Sequence, residues 1–481
     1  MRNSVAAIAQ LALALAAAVI PTAALAVEYD LVIKNGRVMD PESGLDAIRN
    51  IGISAGTIRA IETRALAGRS ELDAQGLAVA PGFIDMMANS GGFQVDDAPK
   101  VLDGVTTALN LEIGTADVDR WYRERAGVSL VNYGVGVGHV PVRKRVMSDL
   151  TSGWVPVGDA ARKAASEQEL AEIKRLIEYG LKRGAVTLGS IVQLMPGASP
   201  WEVLEVLRLG AQYGAICVVH IRFQGDREPA SALRGVEEAI AAALVTGAPL
   251  HVIHVTSSGL GGSPRLLQVL GEAKARGLDV SWDSYPYGAA MNPITSAMLD
   301  EDFRERLGID YGDLQWVATG ERLTAETYKE YRQTGGDVII HMIPENVVRT
   351  VIRNPQTIVM SDGAKGHPRS AGSFARLIGH YARDERLMTL MEALRKVTLM
   401  PAQRLERRVP AMAKKGRIKV GADADITVFD PDSILDLATY AEPLKPSQGI
   451  KYVLVNGVLV VTDGQVKSEV RPGTAVRAPV E

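Results

Sequence analysis

The sequence predicts an α/β fold: a (β/α)8 TIM barrel with a small β-sandwich domain built from both termini and an inserted subdomain before the last barrel strand. Three observations predict it. Short apolar runs alternate with helical stretches through the middle of the chain, the pattern of a parallel sheet with crossover helices. The runs number eight, as a closed barrel requires. Two strand-rich segments without helical periodicity flank that middle, one at each end.

The first 26 residues stand apart from the fold. Arg2 gives a positive start, an apolar stretch runs from Val5 to Ile20, and Ala24-Leu25-Ala26 offers the small-x-small pattern of a signal-peptidase site. The apolar core is short for a membrane span, which needs about 20 residues. The expectation is export, to the periplasm, with no membrane span left after cleavage.

The first β-rich segment covers residues 27–80. It contains Leu31 to Val38 with Asn35-Gly36 as a hairpin turn. The second covers 410–481, where Asn456-Gly457 again separates two apolar runs. The barrel is assigned to 81–409. Its eight runs are Ala78–Met86, Val105–Glu112, Leu130–His139, Ala185–Val192, Ala215–Ile221, Leu250–Thr256, Val280–Pro286 and Thr357–Asp362. Helical patterns lie between them, among them Glu167–Lys182, Pro200–Tyr213, Ala230–Val245 and Ser263–Ala275. The stretch 288–356 is too long for one connection and is assigned to an inserted, lid-like subdomain.

Composition narrows the function classes. A net charge of -3, with 47% hydrophobic and 23% charged residues, is ordinary for a globular enzyme. No Lys/Arg block suggests nucleic acid. Cys217 is the one cysteine, so no intrachain disulfide can form, and its apolar run marks it as core.

Barrel chemistry sits at the C-terminal ends of the strands. Glu112 ends the second run, His220 the fifth and Asp362 the eighth, and His254 lies near the end of the sixth. Imidazole and carboxylate suit a zinc-like ion, which in a catalytic site needs about three protein ligands and an open position. His251, three residues before His254, points to the opposite face of its strand. Asp283 reads as a hydrogen-bonded core carboxylate. His139 ends the third run and is placed with the substrate-facing residues. Arg369, in Gly366-His367-Pro368-Arg369 after the eighth run, could clamp a substrate carboxylate.

These residues resemble the N-acyl-D-amino-acid deacylase (D-aminoacylase) branch of the amidohydrolase superfamily. The likeness rests on Pro81–Asp85, Gly104-Val105-Thr106-Thr107, Tyr285-Pro286-Tyr287, Ser361-Asp362-Gly363, His367-Pro368-Arg369, Gly416-Arg417-Ile418 and Gly421 to Asp425. The stretch Leu111-Glu112-Ile113-Gly114 is similar to the N-acyl-D-glutamate deacylase subgroup.

The resemblance implies a metal-dependent hydrolase. His220 and His254, with Glu112 as third ligand, would hold one zinc. Asp362 would be the general base and acid. Arg369 and Tyr285 would bind the α-carboxylate of a small-molecule substrate. The family pattern Pro-Gly-Phe-Ile-Asp-x-His-x-His is broken here: Met87 and Asn89 stand where the paired histidines belong. Thioether and amide are poor substitutes for imidazole on a borderline cation. Thr256 and Leu194 depart too, standing where relatives carry lysine and tyrosine. Two alternatives stay open. One is a catalytically impaired relative that binds acyl-amino acids or peptide fragments. The other is an amidohydrolase acting on a cyclic amide or lactone.

Overall fold

The computed structural model describes residues 28–88, 97–151 and 153–481. The expected signal segment and Asn89 lie outside the described residues. Eight parallel strands form the central sheet, in the spatial order of the chain: Phe83–Asp85, Val105–Thr115, Asn132–Gly138, Thr187–Ile191, Ile216–His220, Leu250–Val252, Val280–Ser284 and Thr357–Val359. Each falls in one of the eight apolar runs, except that the second continues past the end of its run at Glu112 to Thr115. The strands are buried along their whole length, because side chains on one face fill the barrel and those on the other meet helices.

The first run divides. Ala78–Pro81 leaves the barrel and joins a nine-stranded sheet, pairing with Glu28–Asp40 and Ile426–Phe429. That sheet takes strands from both ends of the chain. Asp425 fastens it to the barrel: its carboxylate accepts hydrogen bonds from Lys415 Nζ at 2.7 Å and from Asn132 Nδ2, on the third barrel strand, at 2.9 Å. Beyond the sheet, the C-terminal tail lies along the barrel, with Tyr133 N donating to Thr474 O and Val476 N to Tyr133 O.

The outer helices start where the sequence supplies caps. Ser166 and Glu169 form a capping box for Glu167–Lys182; Ser199 caps Pro200–Gln212, and Ser231 caps Ala232–Thr246. Gly247, at φ 74°, closes the last of these in the left-handed conformation that glycine adopts without a Cβ penalty. Between the seventh and eighth strands, Ala289–Pro293, Leu314–Trp316 and Asp337–His341 form a separate three-stranded antiparallel sheet. The chain then returns through helix Glu345–Arg353, which packs on helix Ser263–Ala275. No helix among the described residues is long and apolar enough to cross a membrane.

Asp103 is a buried joint between three segments. Its carboxylate accepts from the backbone N–H groups of Phe374 and Ala375 and from the Ser447 hydroxyl. Burial pushes its pKa up to about 7, against the pull of those donors. An unfolded Asp titrates near 4. The native state therefore keeps a proton that the unfolded chain loses. The stability this group contributes is full below about pH 4 and is lost as pH rises through about 7. The melting temperature of the wild type should fall more steeply between pH 5 and 8 than that of Asp103→Asn. Parallel curves would show that Asp103 does not titrate there.

Candidate functional site

Three predicted residues meet at the C-terminal mouth of the barrel. Ligand atoms of Glu112, His254 and Asp362, all buried, lie within 4.8 Å of one another. Glu112 comes from the second strand, near its end. His254 follows the sixth strand with φ 25°, and Asp362 follows the eighth with φ 48°. Positive φ at two non-glycine residues is costly backbone, and here both instances place a side chain in the same cluster.

Neighbours fix the orientation of His254. Its backbone N–H donates to Asp283 Oδ1 at 2.5 Å, and its Nδ1 lies 2.8 Å from Ser257 Oγ. That leaves Nε2 facing Glu112 Oε1, 3.5 Å away. His220 stands beside the trio, its ring centroid 4.7 Å from that of His254. Its Nδ1 lies 3.2 Å from Ile221 O, so Nε2 remains to serve as a ligand atom.

Electrostatics follows from burial. Loss of solvent, reinforced by His254, lowers the pKa of His220 well below its usual value and keeps the ring neutral, the form that binds metal. Burial raises the pKa of Glu112. For His254 burial opposes the charged form, but the hydrogen bond to Glu112 and the charges of Asp362 and Glu112 outweigh it and raise the pKa. Closely spaced carboxylates and imidazoles, buried together, match the donor set of a zinc-like ion.

The cluster opens into a cavity of about 1460 Å3. Arg369 and Tyr285, which the resemblance assigns to the substrate's carboxylate, both line it. Arg369 Nη2 lies 2.8 Å from Asp362 Oδ2, and the guanidinium stacks over the Tyr285 ring at 4.6 Å. Arg369 Nε and Nη1 and the Tyr285 hydroxyl have no hydrogen-bond partner among the described residues. Burial raises the Tyr285 pKa, so the phenol stays protonated and able to donate.

His139 does not reach the cavity, which corrects the expectation of substrate contact. The ring is fully buried, with Nδ1 3.0 Å from Ser190 Oγ and Nε2 2.9 Å from Glu202 Oε1. Arg143 pairs with the same glutamate. Both ring nitrogens are thus committed to a packed, buried polar cluster rather than to the cavity. His251 and Asp283 pair with each other at 2.8 Å, inside the core. Thr256 is bonded to Ser284 and does not line the cavity, whereas Leu194 does.

Met87 and Ala88 follow the first barrel strand, and Ala88 lines the cavity. Met87 is buried and contributes its backbone: Gly363 N donates to Met87 O at 3.0 Å. Sequence reading missed the residues around it. Lys100, buried in the short helix Asp97–Leu102, donates to Asp85 Oδ2 at 2.9 Å and to Ser361 Oγ at 2.6 Å. Ser361 donates from its hydroxyl to Asp85 Oδ2 at 2.5 Å and from its backbone to Asp85 Oδ1 at 3.0 Å. A lone lysine in the stretch Pro99-Lys100-Val101-Leu102 was the available signal. The inserted segment, read from the sequence as lid-like, forms one wall of the site: Met291, Asn292, Pro293 and Met298 line the cavity.

A model of the amidohydrolase family matches residues 262–461. An N-acyl-D-glutamate deacylase of Alcaligenes xylosoxydans xylosoxydans is 31% identical over 501 aligned residues, covering 94% of this chain and 97% of the relative. The chain belongs to the amidohydrolase family, in its N-acyl-D-amino-acid deacylase branch. Among solved members of this family, an N-acyl-D-glutamate deacylase from Bordetella bronchiseptica, in complex with zinc and a phosphonate mimic of the tetrahedral intermediate, aligns with TM-score 0.79. It is 26% identical and covers 94% of this chain and 100% of its own. A D-aminoacylase studied for the role of its binuclear metal centre, with one-metal activation and second-metal attenuation, aligns with TM-score 0.78. It is 25% identical and covers 93% and 100%.

Lys100→Met would leave Asp85 charged, buried and short of its cation, which costs about 3–5 kcal/mol. The loop carrying Asp362 hangs on that same carboxylate. The expected outcome is a lower melting temperature and, in protein still folded, reduced turnover. Unchanged stability in a denaturant titration would remove Lys100 from this account.

Proposed function

We propose that this chain hydrolyses the amide bond of N-acyl-D-amino acids, releasing a carboxylate and a free D-amino acid, with one zinc at Glu112, His220 and His254. The observation that carries the reading is the joining of Asp362 to both halves of the site. Its carboxylate lies within 4.8 Å of the ligand atoms of Glu112 and His254, and it is paired with Arg369. A catalytic carboxylate therefore stands between a metal-type donor set and a buried arginine with unpartnered N–H groups.

Glu112, His220 and His254 would hold the ion, which when bound would supply Lewis acidity toward a carbonyl and a water. The chain supplies the remainder. Asp362 accepts the proton from the attacking water and returns it to the leaving nitrogen. Arg369 Nε and Nη1 receive the substrate's α-carboxylate, and the Tyr285 hydroxyl donates beside them. Burial of these groups excludes solvent, so each interaction counts for more than it would in water.

One ion rather than two follows from Met87, since a thioether holds a hard or borderline cation poorly. The one-metal activation described for the related D-aminoacylase supports this reading. The relatives that act on N-acyl-D-glutamate and N-acyl-D-amino acids support the substrate class and the D configuration. The reaction belongs after export, in the periplasm, if the first 26 residues act as the leader that their pattern suggests.

The test is turnover of N-acetyl-D-amino acids and their L enantiomers by the zinc-loaded protein. The D forms should be hydrolysed and the L forms spared. Asp362→Asn should lower kcat on the order of 10³-fold. Arg369→Ala should lower kcat/KM roughly 10- to 100-fold for substrates with a free carboxylate. Ligand binding without product, in calorimetry, would instead identify a non-catalytic relative.

A further inference from the structure

We infer that the acyl group accepted by this site is itself an amide-bearing chain, so that the substrate is a peptide or acyl-peptide ending in a D-amino acid. The inference rests on the hydrolytic reading above and extends it. Water divides across the scissile C–N bond, hydroxyl to the acyl carbon and proton to the leaving nitrogen. The products are a peptide carboxylate and a free D-amino acid, and no further reactant is needed.

The first observation is size. Small-molecule sites usually measure roughly 300–1,000 Å3. This cavity, at about 1460 Å3, exceeds what an N-acetyl amino acid fills. Its extra room is walled by the inserted segment, through Met291, Pro293 and Met298, and by Trp154 and Leu194.

The second observation is a pair of glutamines, neither of which the deacylase reading uses. Gln193 and Gln224 both line the cavity and are 8% and 2% exposed. Gln193 Nε2 and Gln224 Oε1 have no hydrogen-bond partner among the described residues. The orientation of Gln224 is set, because its Nε2 donates to the Ser257 carbonyl at 3.1 Å and only the amide nitrogen can do so. Its oxygen is left as an acceptor. Ser257 in turn contacts His254, so Gln224 is two links from the metal-type cluster.

The two glutamines follow neighbouring strands. Gln193 is two residues beyond Ile191, and Gln224 four beyond His220, and Ile191 and His220 are partners in the ladder. One unpartnered N–H donor and one unpartnered carbonyl acceptor are the complement of a peptide unit, which carries one C=O and one N–H. Buried polar groups left unpaired are rare and call for a partner. The scissile amide is committed to the Glu112, His254 and Asp362 cluster. The glutamine pair therefore fits a second amide, one residue further into the acyl chain. Apolar Trp154 and Leu194 leave room for that residue's side chain.

The experiment compares kcat/KM for N-acetyl-D-Xaa and N-acetyl-L-alanyl-D-Xaa, with Xaa leucine and glutamate, using the zinc-loaded full-length protein. The wild type should favour the dipeptides by about tenfold or more. Gln193→Met and Gln224→Met should each lower kcat/KM for the dipeptides by about three- to tenfold. Gln193→Met should change N-acetyl-D-Xaa hydrolysis by less than about twofold, which also reports that the variant folds. Gln224→Met also removes the bond to Ser257, which contacts His254, so its reading is the ratio of dipeptide to N-acetyl-D-Xaa turnover, which should fall by about three- to tenfold. Equal wild-type rates on the two substrate types would overturn the inference. So would glutamine variants that lose both types alike. Turnover of neither substrate by the wild type would overturn the deacylase reading itself, and this inference with it.

Discussion

A buried carboxylate joins the two ends of the barrel. The sheet path begins at Phe83–Asp85 and ends at Thr357–Val359. Asp85 spans the gap between them by accepting the backbone N–H and the hydroxyl of Ser361, while Lys100 supplies the balancing charge. Gly363 N to Met87 O continues the same seam. Asp362, the proposed base, sits between the two residues so anchored. Its positive φ is tolerated because both of its neighbours are held.

That seam explains how the site can outlast its altered strand. The family pattern that the sequence resembles has two histidines just beyond the aspartate of this strand, and by that resemblance Met87 stands at one of those positions. What Met87 still provides is main chain, which any residue can provide. The cluster of Glu112, His254 and Asp362 draws on the second, sixth and eighth strand ends and needs nothing from the Met87 side chain. The loss removes ligands from one side of the cluster and leaves the other side assembled.

Much of this was legible in the sequence. Strand existence follows from apolar runs of fixed length, and each of the eight runs holds a barrel strand. Glu112, His220, His254 and Asp362 were visible because polar residues at strand ends are conspicuous in buried strands. His251 lies in the core, held by Ser281 and Asp283, whereas His254 reaches the cluster from beyond the strand, which ends at Val252, so strand alternation is not what separates them. His139 was misread because a polar residue at a strand end can be satisfied from behind. Its partners, Ser190 and Glu202, are distant in sequence, and no local pattern announces them. Lys100, Gln193 and Gln224 were passed over for a related reason. Each owes its place to a long-range hydrogen bond or to the lack of one, and periodicity does not encode either.

The account turns on whether the remaining donors hold an ion. The direct measurement is metal content by mass spectrometry on the purified protein after zinc reconstitution and desalting, for the wild type and for His254→Ala. The account predicts one zinc per chain in the wild type and none in the variant. No retained zinc in the wild type, or an equal amount in both, would contradict it.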